Sequence, residues 1–101
     1  MAYVMSMRSL GGGSPTPPVS IEWQRDRVEE TNPFSPGYII TLSEEPLDED
    51  AIDVWSQGQI LDTDDYNFIA PNQIEILFSG DPATDTSDGV WLFSVQYPYQ
   101  A

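Results

Sequence analysis

Apolar and polar positions along this chain alternate over short stretches, and turn-forming residues separate those stretches. Val19–Trp23 sets Val, Ile and Trp against Ser and Glu, the period-two signature of a strand with one buried face. Residues 24–37 are polar and carry Pro33, Pro36 and Gly37, which predicts a loop. Tyr38–Leu42 is β-branched and apolar, a good strand, and Ser43–Asp50 is an acidic turn region containing Pro46. Ala51–Trp55 alternates again. Ser56-Gln57-Gly58 reads as a turn with the glycine placed for positive φ, and Gln59–Leu61 as the returning strand of a hairpin. Asp62–Asp65 is another acidic turn before Tyr66–Ile69, and residues 70–73 turn the chain once more. Ile74–Phe78 and Val90–Tyr97 complete the strands.

No stretch runs long enough at helical spacing to predict a helix. Short strands with turns every ten residues or so point to an all-β fold, a small antiparallel β-sandwich, immunoglobulin-like or an open barrel. The expected core is Ile40, Leu42, Ile52, Val54, Ile60, Tyr66, Phe68, Ile74, Ile76, Phe78, Leu92 and Val95.

Ahead of the strands, residues 11–18 read GGGSPTPP. Glycines there release the backbone while prolines impose extended geometry and cannot join a central ladder. This divides the chain into an extended N-terminal arm with its linker, residues 1–18, and a sandwich domain, residues 19–101. Tyr3, Val4, Met5, Met7 and Leu10 lie beyond the linker with no core of their own, and methionine adapts to irregular surfaces, so the arm is expected to dock on a partner. The alternative is a frayed terminus.

At 101 residues the chain suits one domain, and a folding unit of roughly 80 residues gains from extra stabilisation. Cysteine is absent, which excludes disulfides, thiolate metal sites and cysteine nucleophiles. Histidine is absent as well, removing the commonest general base. Oligomerisation is the remaining source of stability, so a homo-oligomer is expected, a trimer being one arrangement.

The formal net charge is −14, and all three bases, Arg8, Arg25 and Arg27, fall in the first 27 residues. From Val28 onward there are 15 acids and no base. Nucleic-acid binding needs cations facing phosphate, and an anionic membrane surface asks for the same, so neither is an expected partner. Basic protein surfaces and divalent cations remain, as does charge that serves only solubility. No apolar run spans a bilayer, and Met1–Leu10 lacks the continuous apolar stretch of a secretory signal, so synthesis in the cytoplasm is expected.

Residues 38–97 carry a further pattern. A strand ending at Leu42-Ser43 precedes a turn with Pro46; a hairpin turns at Gln57-Gly58; Asp65-Tyr66 follows, then Ile74–Phe78, Gly80-Asp81 and a closing strand ending in Tyr97. This order resembles a small β-sandwich module of tailed-bacteriophage structural proteins, among them capsid-decoration, neck and tail-fibre components. It departs at Gln57, where the module usually has asparagine, and at residues 81–89, which insert extra length before the final strand. The register of the last hairpin therefore does not follow from the resemblance.

Several constellations suggest chemistry. Asp62, Asp64 and Asp65 share one turn and Asp81, Asp85 and Asp88 another, and calcium takes several carboxylate oxygens from tight loops. Neither matches EF-hand spacing, and aspartates also occupy turns by bonding to nearby backbone, so no metal and no cofactor is expected. A pair of acids could hydrolyse glycosides. With 17 acids some pair meets that distance by chance, and histidine, lysine and cysteine are all missing as activators, so no enzyme activity is expected. Trp23, Trp55 and Trp91 with five tyrosines could form a sugar-binding or interface surface; Trp55 and Trp91 are placed to alternate outward relative to Val54 and Leu92, and each tryptophan is a partner contact if exposed and core if not. Tyr97 and Tyr99, at the end of the last strand, are further contact candidates.

Together these expectations describe a non-enzymatic virion structural protein. The resemblance implies a virion part but not which one; a small free-standing module with an arm suits a capsid decoration or cement protein that meets other virion proteins, above all the major capsid protein, through its arm and its own copies. The alternatives are a neck, tail or fibre adaptor, and an adhesive carbohydrate-binding module using exposed tryptophans.

Overall fold

The computed structural model describes residues 20–101, so the predicted arm of residues 1–18 lies outside the described residues. Its strands are β1 (Ile21–Glu30), β2 (Tyr38–Thr41), β3 (Asp53–Ser56), β4 (Gln59–Ile60), β5 (Tyr66–Ile69), β6 (Gln73–Ile76) and β7 (Trp91–Gln100). They form a four-stranded sheet in the order β1-β7-β3-β4 and a three-stranded sheet in the order β2-β6-β5, with every pairing antiparallel. The all-β sandwich expected from the alternation is the fold observed. Among the described residues no helix is long and apolar enough to cross a membrane.

The largest departure is β1. The predicted loop at 24–37 begins only after Glu30, because β1 pairs with β7 over ten positions, from Ile21 opposite Gln100 to Glu30 opposite Trp91. Charged residues hide this strand from a hydrophobicity pattern. At a sheet edge both faces of a strand tolerate polar side chains, provided the inward ones find partners.

The core follows from the two registers. On the small sheet, Tyr38, Ile76 and Tyr66 form one inward row and Ile40, Ile74 and Phe68 the next. On the large sheet, Trp91, Phe93, Val95 and Tyr97 of β7 face them, with Val54 of β3 beside Val95. Ile40, Leu42, Ile52, Val54, Ile74, Ile76 and Val95 are buried as expected, and Tyr66, Phe68 and Phe78 pack partly buried against them.

Two expected core residues are not core. Leu92 stands on the opposite side of β7 from Val95, since residues an odd number apart cannot share a strand face. Ile60 pairs with Trp55 on the outward face and is 60% exposed. Their places are taken by Phe34, Phe93 and Tyr97.

Phe34 comes from the 31–37 loop and closes one end of the sandwich. Its ring centroid lies 5.1 Å from Trp91, 5.2 Å from Tyr38, 5.5 Å from Phe93 and 6.0 Å from Phe78. Two backbone hydrogen bonds hold it: Phe34 N–H donates to Gly80 at 2.9 Å and Gly80 N–H donates back at 3.0 Å. A Cβ on Gly80 would come within 2.8 Å of both the Phe34 and the Trp91 rings, so only glycine fits there. The stretch after Gly80, seen in the sequence as extra length, forms the single helical turn α1 (Pro82–Asp85). Asp81 caps it by accepting from Ala83 N–H, while Asp85 accepts from Asp81 N–H.

The β3–β4 turn has positive φ at both central residues, 53° at Gln57 and 81° at Gly58, the arrangement that favours Asn-Gly. Glutamine replaces asparagine for a local reason. Its longer side chain reaches across to β7, where Gln57 Oε1 accepts from Leu92 N–H at 2.7 Å.

Gly80→Ala is expected to lower stability by about 1–3 kcal/mol through overpacking, and Phe34→Ala by about 3–5 kcal/mol. Urea unfolding followed by tryptophan fluorescence measures both. A Gly80→Ala protein as stable as its parent would show that the Phe34–Trp91 contact has slack.

Candidate interaction surface

Two acids on the inward face of β1 determine how that strand is seated. Asp26 accepts four hydrogen bonds: from Tyr97 Oη at 2.6 Å, Ser43 Oγ at 2.7 Å, Ser43 N–H at 2.9 Å and Gln24 Nε2 at 2.9 Å. Tyr97 Oη in turn accepts from Glu44 N–H at 3.0 Å. Further along β1, Glu30 accepts from Tyr38 Oη and from Asn32 N–H, each at 2.9 Å. Ser43 and Tyr38 lie beyond and at the start of β2, so these acids tie an edge strand of the large sheet to an edge strand of the small one.

The electrostatics agree with the geometry. Burial alone would push the Asp26 carboxyl up, but the bonds from Tyr97, Ser43 and Gln24 outweigh it and hold the pKa below its ordinary value. The bonds from Asn32 and Tyr38 lower that of Glu30. Burial, then the hydrogen bond to Glu30 and its charge, push Tyr38 up to about 12. Burial and the bond to Asp26 also raise Tyr97.

With Gln24, Asp26, Val28 and Glu30 turned inward, the odd residues of β1 face outward. Across the sheet they form rows. Arg27, Ser94 and Trp55 make one row, continued by Ile60; Arg25, Gln96 and Asp53 make the next; Trp23 then sits beside Pro98 and Ile21 beside Gln100. Ile21 is 54% exposed and Trp23 59% exposed. The Arg25 guanidinium lies 4.6 Å from the centre of the Trp55 ring and donates from Nη2 to Gln96 Oε1 at 2.9 Å. Arg27 and Glu29 form an exposed ion pair at 3.8 Å, which contributes little by itself. Both described cations therefore lie on one face, among large apolar side chains. An open depression lined by Arg27, Glu29, Gln57, Asp88 and Leu92 adjoins it.

Of the contact candidates among the described residues, Trp23 and Trp55 lie on this face. Trp91, Tyr97 and Tyr99 are odd-numbered on β7 and turn inward. Trp91 packs on Phe34 and donates from Nε1 to Ser56 Oγ at 2.9 Å; Tyr97 is fully buried; Tyr99 packs against the core and reaches Glu22 at 3.4 Å. Tyr97 is thus a core residue. Tyr3, Val4, Met5, Met7 and Leu10 lie outside the described residues. The sequence did carry a signal for the residues it left out: Ile21, Arg25, Arg27 and Glu29 recur with Trp23 at period two once 21–30 is recognised as one strand.

Acids of the 48–50 and 81–90 turns bond the local backbone, whereas Asp62 makes no side-chain cap at the 62–65 turn. Besides the cap at α1, Asp48 accepts from Asp50 N–H and Asp88 from Val90 N–H. Among the described residues no three acidic side chains converge as a metal site. No protein-family model, curated protein or solved structure matches the chain.

The lowered carboxylates set a pH signature. A depressed Asp26 pKa contributes stability that is present above its unfolded value, near 3.8, and that is lost as pH falls through the folded value. Asp26→Asn should therefore cost about 1–3 kcal/mol at pH 7, with a gap to the parent that narrows at pH 3. Urea unfolding at the two pH values reads the gap; a constant gap would mean that Asp26 acts by shape alone. The raised tyrosines work in the opposite sense: their contribution is full below pH 10 and lost as pH climbs through the folded values.

Proposed function

We propose that this chain is a non-enzymatic assembly module, a structural protein of a bacteriophage virion that decorates and braces the capsid shell. The observation that carries the assembly reading is the outer face of the β1-β7-β3-β4 sheet, where exposed Ile21, Trp23 and Ile60 surround Arg25 stacked on Trp55. Tryptophan and arginine are the side chains that dominate interface energetics, and a face this apolar on a body with net charge −14 fits contact with another protein. The order of strands and turns over residues 38–97 supports the virion assignment. The Gln57 departure from that pattern has a local cause in the bond to Leu92.

In this role the arm of residues 1–18 meets the major capsid protein, while the sandwich makes the contacts between neighbouring copies. Each contact is small, and repetition over a lattice supplies the avidity.

Co-sedimentation of the purified chain with shells stripped of it tests the proposal. Saturation at a copy number commensurate with the shell lattice is expected, and deletion of residues 1–18 should abolish binding while leaving the unfolding transition intact. Binding confined to one vertex would move the protein to the neck or tail. Binding to sugars in place of shells would make it an adhesive module.

A further inference from the structure

The registers on either side of β7 make the outer sheet face complementary to itself. Arg25 on β1 and Asp53 on β3 both pair with Gln96, so they flank the same residue of the central strand from opposite sides. One row along, Arg27 and Trp55 flank Ser94 in the same way. Strands lie about 4.8 Å apart, which puts each flanking pair roughly 10 Å apart across β7.

A two-fold rotation about an axis running along β7 exchanges its two sides. It lays β1 of one copy over β3 of the other and keeps each row at the same height. Arg25 then meets the partner's Asp53, and Asp53 the partner's Arg25, closing two ion pairs. Aligned face-to-face packing of twisted sheets has this geometry, and an isologous contact requires this self-complementarity.

Charge selects a second copy over other placements. Arg25 and Arg27 balance Glu29 and Asp53 within the rows of this face, whereas no described base lies anywhere else on the chain. Among the described residues no other face holds a base with which to form reciprocal ion pairs. Among the described residues Asp53 has no ion-pair partner within 4 Å, and the Arg25 fork keeps donors beyond the one used on Gln96.

We propose that the outer face of the β1-β7-β3-β4 sheet is a two-fold interface between copies of this chain, held by reciprocal Arg25–Asp53 pairs. This deepens the assembly proposal by naming the partner of that face, and it does not depend on the virion assignment. The strands cover roughly 400 Å² per copy, the size of a weak contact that forms at high local concentration and is reinforced by avidity.

Sedimentation equilibrium of the full chain in 0.15 M salt, from about 10 μM to 1 mM, tests it; at that salt the long-range repulsion between anionic bodies is screened beyond about 8 Å. The parent is expected to show a monomer–dimer equilibrium. Arg25→Asp and Asp53→Arg should each weaken it about tenfold or more, because each sets like charges against each other. An equimolar mixture of the two single variants should recover the affinity as a heterodimer, and the double swap should recover it as a homodimer. Ile39→Glu on the opposite sheet should leave the dimer unchanged.

A parent that stays monomeric over the whole range, or a mixture of single variants no tighter than either alone, would overturn the proposal. Shells are absent from this measurement. A dimer without shell binding therefore defeats the virion assignment alone, and shell binding by a strict monomer defeats the interface alone.

Discussion

The seating of Asp26 governs much of the molecule. An ionised carboxylate turned toward a core is costly unless its lone pairs are filled. Here four donors from β1, β7 and the segment after β2 fill them. The arrangement determines which side of β1 faces inward. A one-residue slip would carry Asp26 to solvent and bring the Trp23, Arg25 and Arg27 side chains toward the core. The same carboxylate therefore closes the side of the sandwich and presents the outer face. Glu30 repeats the device four residues further along β1, through Tyr38 at the start of β2.

β7 is the second organising element. Its odd residues Trp91, Phe93, Val95 and Tyr97 enter the core, and its even residues Ser94 and Gln96 form the floor of the outer face. It has a neighbour on each side along its length: β1 on one, and β3 and then Pro46 on the other, with Leu47 N–H donating to Pro98. A strand so covered is a fixed reference. Arg25 and Asp53 can match across a two-fold because both take their register from Gln96.

The fold class and the strands from β2 to β7 were legible in the sequence because β-branched and aromatic residues alternate there and Gly, Pro and Asp mark the turns. The second half of β1 was not, since Gln24 to Glu30 contains only one apolar residue, Val28. Its inward acids are tolerated only because Tyr97, Ser43 and Tyr38 arrive from distant parts of the chain, which periodicity does not reveal. Leu92 and Val95 could not both be core on one strand, and strict use of the two-residue period would have selected Phe93. The same period assigns Tyr97 to the interior, where a terminal Tyr-Pro-Tyr looks like a surface feature. The interaction face was not seen as a whole because its residues come from four strands, and most of β1 reads as a loop.

A double-mutant cycle on Asp26→Asn and Tyr97→Phe, measured by urea unfolding at pH 7, tests most directly whether the Asp26 anchor holds the structure as described. Direct bonding through the 2.6 Å contact predicts a coupling free energy of about 1–3 kcal/mol between the two sites. Additive effects, with coupling below about 0.5 kcal/mol, would mean that β1 is seated by its backbone pairing with β7 alone, and would contradict the account.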